Sequence, residues 1–255
     1  MKAPGLFDLT GRVAVVTGGN RGIGRGIALG LAQAGAAVAV FGRDEEKNRQ
    51  VLSELKAIGV PAIAIKVDVT DRAGLEPALN KVESELGGIG ILVNNAGIVN
   101  LSGGVLKEKP EDWDGVIENQ LTAVFLLSKL AAASMVRRKS GKIINIGSMY
   151  SIFGSGLVPS YSVAKGAIVQ LTKSMAIELA PYNIQVNCIA PGWINTDMTV
   201  AVQSMPLNDE VLARTPAGRW GEPEDCAGTA VYLASHASDF VTGETIRVDG
   251  GYAIR

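Results

Sequence analysis

The apolar, β-branched run Val13–Thr17 passes without a linker into Thr17-Gly18-Gly19-Asn20-Arg21-Gly22-Ile23-Gly24. A helix-period pattern over residues 21–34 follows at once. No other stretch narrows the range of folds as much. A buried strand, a tight glycine turn and a helix N-terminus together make an anion cradle, because the first-turn N–H groups and the helix dipole point at one spot. Gly18, Gly22 and Gly24 leave the backbone free to turn and to approach a ligand closely. A glycine run alone is weak evidence. At the first βα turn of an alternating chain it predicts a dinucleotide phosphate site, with Asn20, Arg21 and Ile23 inside it.

The alternation continues. Short apolar runs at residues 37–41, 62–67, 91–94, 142–146, 184–189 and 244–248 read as strands. Helix-period patterns at 45–58, 71–86, 111–138 and 160–180 separate them. Continuous apolar strands with helical crossovers predict an α/β fold, a Rossmann-type doubly wound parallel sheet covered on both faces. The chain has 255 residues, 47% hydrophobic and 19% charged. That suits one domain spanning residues 1–255 and argues against disorder. Residues 191–221 lack a clear period and carry Trp193, Met198 and Met205. They read as a mobile flap over the site, or else as an ordered surface excursion.

Composition excludes several classes. A net charge of -1 provides no basic field for nucleic acid or anionic lipid. Two cysteines, Cys188 and Cys226, and one histidine, His236, argue against a disulfide framework, a zinc site or a Ser-His-Asp mechanism, so no metal is expected. No apolar run was read as membrane-spanning, and the segment MKAPGLFDLT lacks a signal-peptide core. The expectation is a cytoplasmic protein with no membrane partner.

Two strand ends supply further polar groups. Asp68 closes the third strand, placed to accept from an adenine amino group. Asn94-Asn95-Ala96-Gly97 closes the fourth, where Asn95 can donate and accept. The deciding set is Ser148, Tyr161 and Lys165. Tyr161 and Lys165 stand at i and i+4 and share a helix face, and Ser148 ends the preceding strand. A free phenol titrates near about 10, too high for acid-base work at neutral pH. A neighbouring ammonium and a cationic nicotinamide ring are expected to lower it. A drop of about three pH units corresponds to roughly 4 kcal/mol of preferential stabilisation of the phenolate. Tyr161 would then exchange a proton with a substrate oxygen that Ser148 also holds.

TGGNRGIG, Asp68, NNAG, Ser148, YSVAK, Pro191-Gly192 and the terminal VDGG occur in the order and spacing of one family. The chain resembles the short-chain dehydrogenases/reductases over essentially its whole length. The resemblance implies a nicotinamide dinucleotide, reversible hydride transfer at a secondary alcohol or ketone, and a homotetramer built on the two long helices. It also implies cofactor contacts at Val69, Ala96, Gly97, Pro191, Gly192, Ile194 and Thr196. There is one departure. Where the family carries an asparagine in its central helix, alignment on Trp113 places Gln120, and Asn119 is expected off the active-site face. Gln120 keeps the backbone carbonyl that the family uses, so the proton relay is expected to survive.

For the cofactor, the second strand ends in Gly42 and Arg43 rather than an acidic residue. Arg43 and Arg21 suit a ribose 2′-phosphate, which favours NADP, with NAD as the alternative. The expected substrate lining is Met149, Tyr150, Phe153, Leu157, Trp193 and Met198. The Ser148–Tyr161 segment and AGRWGEPED are similar to the gluconate, deoxygluconate and glucose 1-dehydrogenase branch. Leu157 stands where that branch often has an arginine before Val-Pro. A 3-oxoacyl-carrier-protein reductase is the competing enzyme, and Arg137, Arg138, Lys139 and Lys142 would be its docking patch unless they only end a helix. A non-catalytic dinucleotide-binding protein is the alternative of another class.

Overall fold

The computed structural model describes residues 5–255. Seven parallel strands form one sheet in the order β3-β2-β1-β4-β5-β6-β7. The strands are β1 (Val13–Thr17), β2 (Ala37–Gly42), β3 (Ala62–Lys66), β4 (Ile89–Asn94), β5 (Gly141–Ile146), β6 (Ile184–Pro191) and β7 (Thr245–Val248). The order reverses between β1 and β4, and the crevice beyond the carboxyl ends of those strands is where such sheets bind ligands.

Strand pleating explains the unbroken apolar runs. Val13 and Val15 enter one core with helices α3 (Arg72–Leu86), α5 (Ala123–Arg138) and α6 (Pro159–Leu179). Ala14 and Val16 enter the other with α1 (Gly22–Gln33), α2 (Glu45–Ile58) and α8 (Ala227–Ala234). Both faces of the central strands are therefore dry, and no polar alternation is left to see there, while the edge strands β3 and β7 are half-buried. Helix α2 shows how local signals set bounds. Asp44 accepts from the backbone N–H groups of Glu46 and Lys47, and Gly59 closes the helix at φ +93°.

Three expectations change. The pattern over 111–138 begins at Pro110 as α4 (Pro110–Ile117), then widens into a π-helical turn, Glu118–Thr122, before α5. This continuous helix, Pro110–Arg138, is long and apolar enough by composition to cross a membrane, contrary to the reading that no such run exists; 56% of its most apolar window is buried inside the protein. Residues 191–221 are not an irregular loop. They contain a short 3-10 stretch and helix α7 (Leu207–Arg214). Helix α8 was not expected at all. Two members of the basic cluster are internally paired, whereas Arg137 and Lys139 are exposed. Lys142 is 3% exposed and pairs with Asp239 at 2.8 Å, and Arg138 is held by Glu83, Ser134 and the Ile89 carbonyl.

A buried polar thread crosses the middle of the sheet. Asn94 Nδ2 donates to Ser128 Oγ and to Asn145 Oδ1, and Asn145 Nδ2 donates to Thr172 Oγ1, each at 2.9 Å. It joins β4, α5, β5 and α6.

Candidate active site

The carboxyl ends of β1 and β4 are bonded to each other. Thr17 Oγ1 accepts from the N–H groups of Asn95 and Ala96 at 2.9 and 3.0 Å. The Asn95 amide donates to the Thr17 and Gly18 carbonyls at 2.9 and 3.2 Å. Asn95 thus braces the glycine turn, a task its sequence position did not reveal. Gly18 and Gly22 adopt φ +61° and +49°. A Cβ on Gly24 would lie 2.3 Å from both the Gly18 carbonyl oxygen and Asn95 Nδ2. No side chain caps α1 at Arg21, so its first-turn N–H groups are free to meet an anion.

One cleft of about 400 Å³ lies over β1, β2 and β3 and is lined by Gly18, Asn20, Arg21, Arg43, Asp68, Val69, Ala96 and Gly97. Lys47 and Asn119 line it too, and the sequence reading missed both. Asn119 is only 6% exposed, so it is not idle on the outside of its helix; it faces this neighbouring cleft. Asn20 donates to Asn48 Oδ1 at 2.8 Å, and Asn48 in turn donates to the Gly42 carbonyl at 3.0 Å. These two amides fill the space beside Gly42, where a Cβ would lie 2.3 Å from Asn20 Nδ2. Arg43 Nη1 is 3.7 Å from Asp68 Oδ2. The backbone N–H of Thr70 and the nearby Arg43 hold the Asp68 carboxyl below its ordinary range.

A second cleft of about 440 Å³ adjoins the first through Arg21 and Gly97. It is lined by Gly22, Ile23, Gly24 and Asn95 from the turn side. Gln120, Ser148, Tyr161 and Lys165 line its far wall, and Pro191, Gly192, Ile194 and Thr196 its floor. Gln120 is 1% exposed and reaches across to the Ile98 carbonyl at 2.5 Å. Its bond ties the π-helical turn to the segment after β4. Ser151, also missed, accepts from the Ser148 N–H at 3.1 Å and donates to the Lys165 carbonyl at 2.7 Å. The turn carrying Ser148 is thereby fixed to α6.

Lys165 Nζ donates to the Ile146 carbonyl at 2.7 Å and sits 5.6 Å from the centre of the Tyr161 ring. Burial lowers Lys165 to about 8, with Cys188 opposing. Burial pushes Tyr161 up to about 12, against the pull of the neighbouring Ser148 hydroxyl. In the protein by itself desolvation dominates, and Tyr161 is a neutral phenol at pH 7. The expected depression belongs to the complex in which a cationic nicotinamide ring lies beside the phenol.

The expected substrate lining divides. Met198 lines the cleft, and Tyr150 meets Tyr161 edge-on at 6.2 Å. Met149 is buried at 3% exposure. Trp193 packs on Trp220 at 5.3 Å in a separate cavity with Arg219 and Arg247. Its place right after Pro191-Gly192 suggested the site, but the chain turns it behind the floor.

Comparisons with known proteins agree with this architecture. The family profile described as enoyl-(acyl carrier protein) reductase matches residues 18–253. The 2-dehydro-3-deoxy-D-gluconate 5-dehydrogenase of Formosa agariphila is 43% identical over 249 residues, 96% of this chain and 94% of the relative. The 5-keto-D-gluconate 5-reductase of Escherichia coli K12 is 41% identical, covering 98% of both chains. The crystal structure of a gluconate 5-dehydrogenase from Burkholderia cenocepacia in complex with NADP and tartrate superposes with a TM-score of 0.93 at 40% identity, over 98% of both chains. With the sheet order, the glycine turn and near full-length likeness all in agreement, the chain belongs to the short-chain dehydrogenase/reductase family.

Proposed function

We propose that this protein is an NADP-dependent oxidoreductase that interconverts a secondary alcohol and a ketone on a sugar acid of the gluconate type. The observation that carries the reading is the meeting of Ser148, Tyr161 and Lys165 in a cleft continuous with the glycine turn. The cradle around Gly24, where no Cβ fits, suits a dinucleotide pyrophosphate. The bound cofactor supplies or takes the hydride. Tyr161, neutral at pH 7, gives its proton to the substrate oxygen in the reducing direction. Ser148 holds the same oxygen by a hydrogen bond. Lys165, anchored on the Ile146 carbonyl, presents positive charge beside the ring and favours the phenolate that results. Gln120 keeps the helix wall in register with the segment after β4.

Arg43 and Arg21 around one cleft favour a 2′-phosphate, while Lys47 beside them pairs with Asp197, and NADP is bound in the Burkholderia relative. NAD is the alternative. The sugar-acid assignment is supported by the names of the relatives. The carrier-protein reading keeps only half of its docking patch, because Arg138 and Lys142 are paired internally and only Arg137 and Lys139 are free among the described residues. The Tyr161–Lys165 arrangement argues against a protein that only binds dinucleotide.

In the same proposal, the chain is one domain, residues 191–221 close over the substrate, and the protein works in a reducing, cytoplasmic setting, in keeping with the buried, unpaired Cys188 and Cys226. We assign it a homotetrameric assembly. Val124, Leu127, Ala131 and Met175 face inward, but Phe125, Val163 and Ile177 of the long helices are 47, 49 and 79% exposed. Sedimentation that reports a monomer at micromolar concentration would remove the assembly. The activity is tested by following NADPH absorbance with 5-keto-D-gluconate. NADPH binding with no turnover on that acid or on a panel of ketones would defeat the reading.

A further inference from the structure

Helix α7 ends with an arginine in an unusual setting. The Arg214 guanidinium carbon lies 4.4 Å from the centre of the Tyr252 ring and 4.9 Å from that of Phe153. The two rings are 6.0 Å apart and tilted by 33°. The guanidinium is therefore clasped on aromatic faces, where cation–π attraction holds it. Its edge is different. Among the described residues Arg214 forms no salt bridge, and its side chain donates no hydrogen bond. Other arginines of the chain are matched at their edge: Arg25 by Glu54 and Arg219 by Asp225. A planar cation fixed by its faces with its N–H fork unmatched is organised to receive a planar, bidentate anion.

The clasp leads to the reacting group. Phe153 meets Tyr150 edge-on at 5.7 Å, and Tyr150 meets Tyr161 edge-on at 6.2 Å. Burial raises the Tyr150 phenol, opposed first by the Ser155 hydroxyl and least by the charge of Arg214. Arg214 thus belongs to the aromatic wall that begins at Tyr161, on a different element from the phosphate turn. The position before Val158-Pro159, where a basic residue would otherwise serve a carboxylate, holds the exposed Leu157.

We propose that Arg214 is the specificity-determining residue that receives the substrate carboxylate. The acid group at the far end of the carbon chain from the reacting carbon docks on the guanidinium edge, with Phe153 and Tyr252 holding the guanidinium plane. This rests on the sugar-acid reading above and adds the residue that enforces it.

The test compares 5-keto-D-gluconate with L-sorbose, its uncharged counterpart with CH2OH in place of the carboxylate, in the wild type, Arg214→Met and Arg214→Lys. Loss of a charge-assisted fork should lower the kcat/KM ratio of acid over neutral ketose by about ten- to a hundredfold in Arg214→Met, chiefly through KM. Arg214→Lys, which keeps the charge but not the fork, should lie between. It also carries the test if the methionine variant fails to fold. Equal losses on both ketones would mean that Arg214 only packs α7, and would overturn the proposal. Calorimetric titration of the NADPH-loaded protein with D-gluconate and D-sorbitol, alcohols that the reduced cofactor cannot turn over, decides the point without reaction. Tighter gluconate binding that Arg214→Met abolishes supports the assignment, and equal binding of the two by the wild type overturns it. If the wild type reduces neither ketone, the proposed activity fails, while the gluconate-over-sorbitol difference still settles the role of Arg214.

Discussion

Replacing Arg43 with alanine should change which cofactor the protein prefers. Arg43 lines the cleft over β1, β2 and β3, and its side chain is 60% exposed. A hydrogen bond between ionised groups contributes roughly 1.5–3 kcal/mol. At this exposure solvent screens the pair, so the lower end applies, about 1.5 kcal/mol or about tenfold in affinity. A second effect acts in the same direction. Asp68, 3.7 Å away, loses its neutralising neighbour and turns an unopposed carboxylate towards the phosphate. Arg43→Ala should therefore lower the NADPH/NADH ratio of kcat/KM by at least about tenfold. The ratio must be measured at one ionic strength, because the pair is screened by salt. An equal loss with both cofactors would show that Arg43 is structural. A wild type that prefers NADH would refute the phosphate argument itself. The usual complementary change, an acidic residue at Gly42, is not available here. Its Cβ would strike Asn20 and Asn48, so Gly42→Asp should lower stability rather than convert the enzyme to NADH.

Tyr161→Phe should reduce turnover by at least about a hundredfold with NADPH binding retained, since the glycine turn is untouched; near-normal rates in the purified variant would remove Tyr161 as the proton donor. Because burial holds the phenol high, alcohol oxidation, which needs the phenolate, should rise with pH up to about 8 and flatten above it as Lys165 loses its charge. Ketone reduction, which uses the neutral phenol, should show no such rise, and parallel profiles in the two directions would contradict this. Gln120→Asn shortens the arm that reaches the Ile98 carbonyl. It should cost about 1 kcal/mol, a melting shift of about 2–4 °C, with turnover within a few-fold of wild type; an inactive but folded variant would place Gln120 in the proton path.

Much of the scaffold was legible because its signals are local. Asp44 and Gly59 bracket α2 by capping and left-handed turning, and both are visible as residue types at fixed offsets. The glycine turn was legible for the same reason. What stayed hidden depends on neighbours far along the chain. That Asn20 and Asn95 brace loops, rather than only facing a ligand, follows from Asn48 and Gly18 meeting them in space. The π-helical turn at Glu118–Thr122 carries no residue signature, so the sequence did not show that Asn119, off the Tyr161 cleft as expected, lines the neighbouring one. The Tyr161 pKa expectation weighed the lysine and the nicotinamide ring but not burial, a property of the whole wall that raises the phenol. Helix α8 is nearly all small and apolar, Ala-Gly-Thr-Ala-Val-Tyr-Leu-Ala, and offers no polar face to mark its period.

The polar thread through Asn94, Ser128, Asn145 and Thr172 bears on how sequences of this kind can drift. Each member is the donor or acceptor for another, so a lone apolar replacement strands a buried partner, a penalty of roughly 1–3 kcal/mol. Against a typical stability margin of about 5–15 kcal/mol, one such step is tolerable and two unrelated ones are hazardous. The four positions should therefore evolve as a linked set, passing together or not at all. Pairwise swaps such as Asn145 with Thr172 should show strong epistasis, while the exposed faces of the same helices accept change freely. For anyone redesigning the substrate pocket, that makes the interior between β4 and α6 a fixed chassis, and confines useful diversity to the aromatic wall and the 191–221 segment.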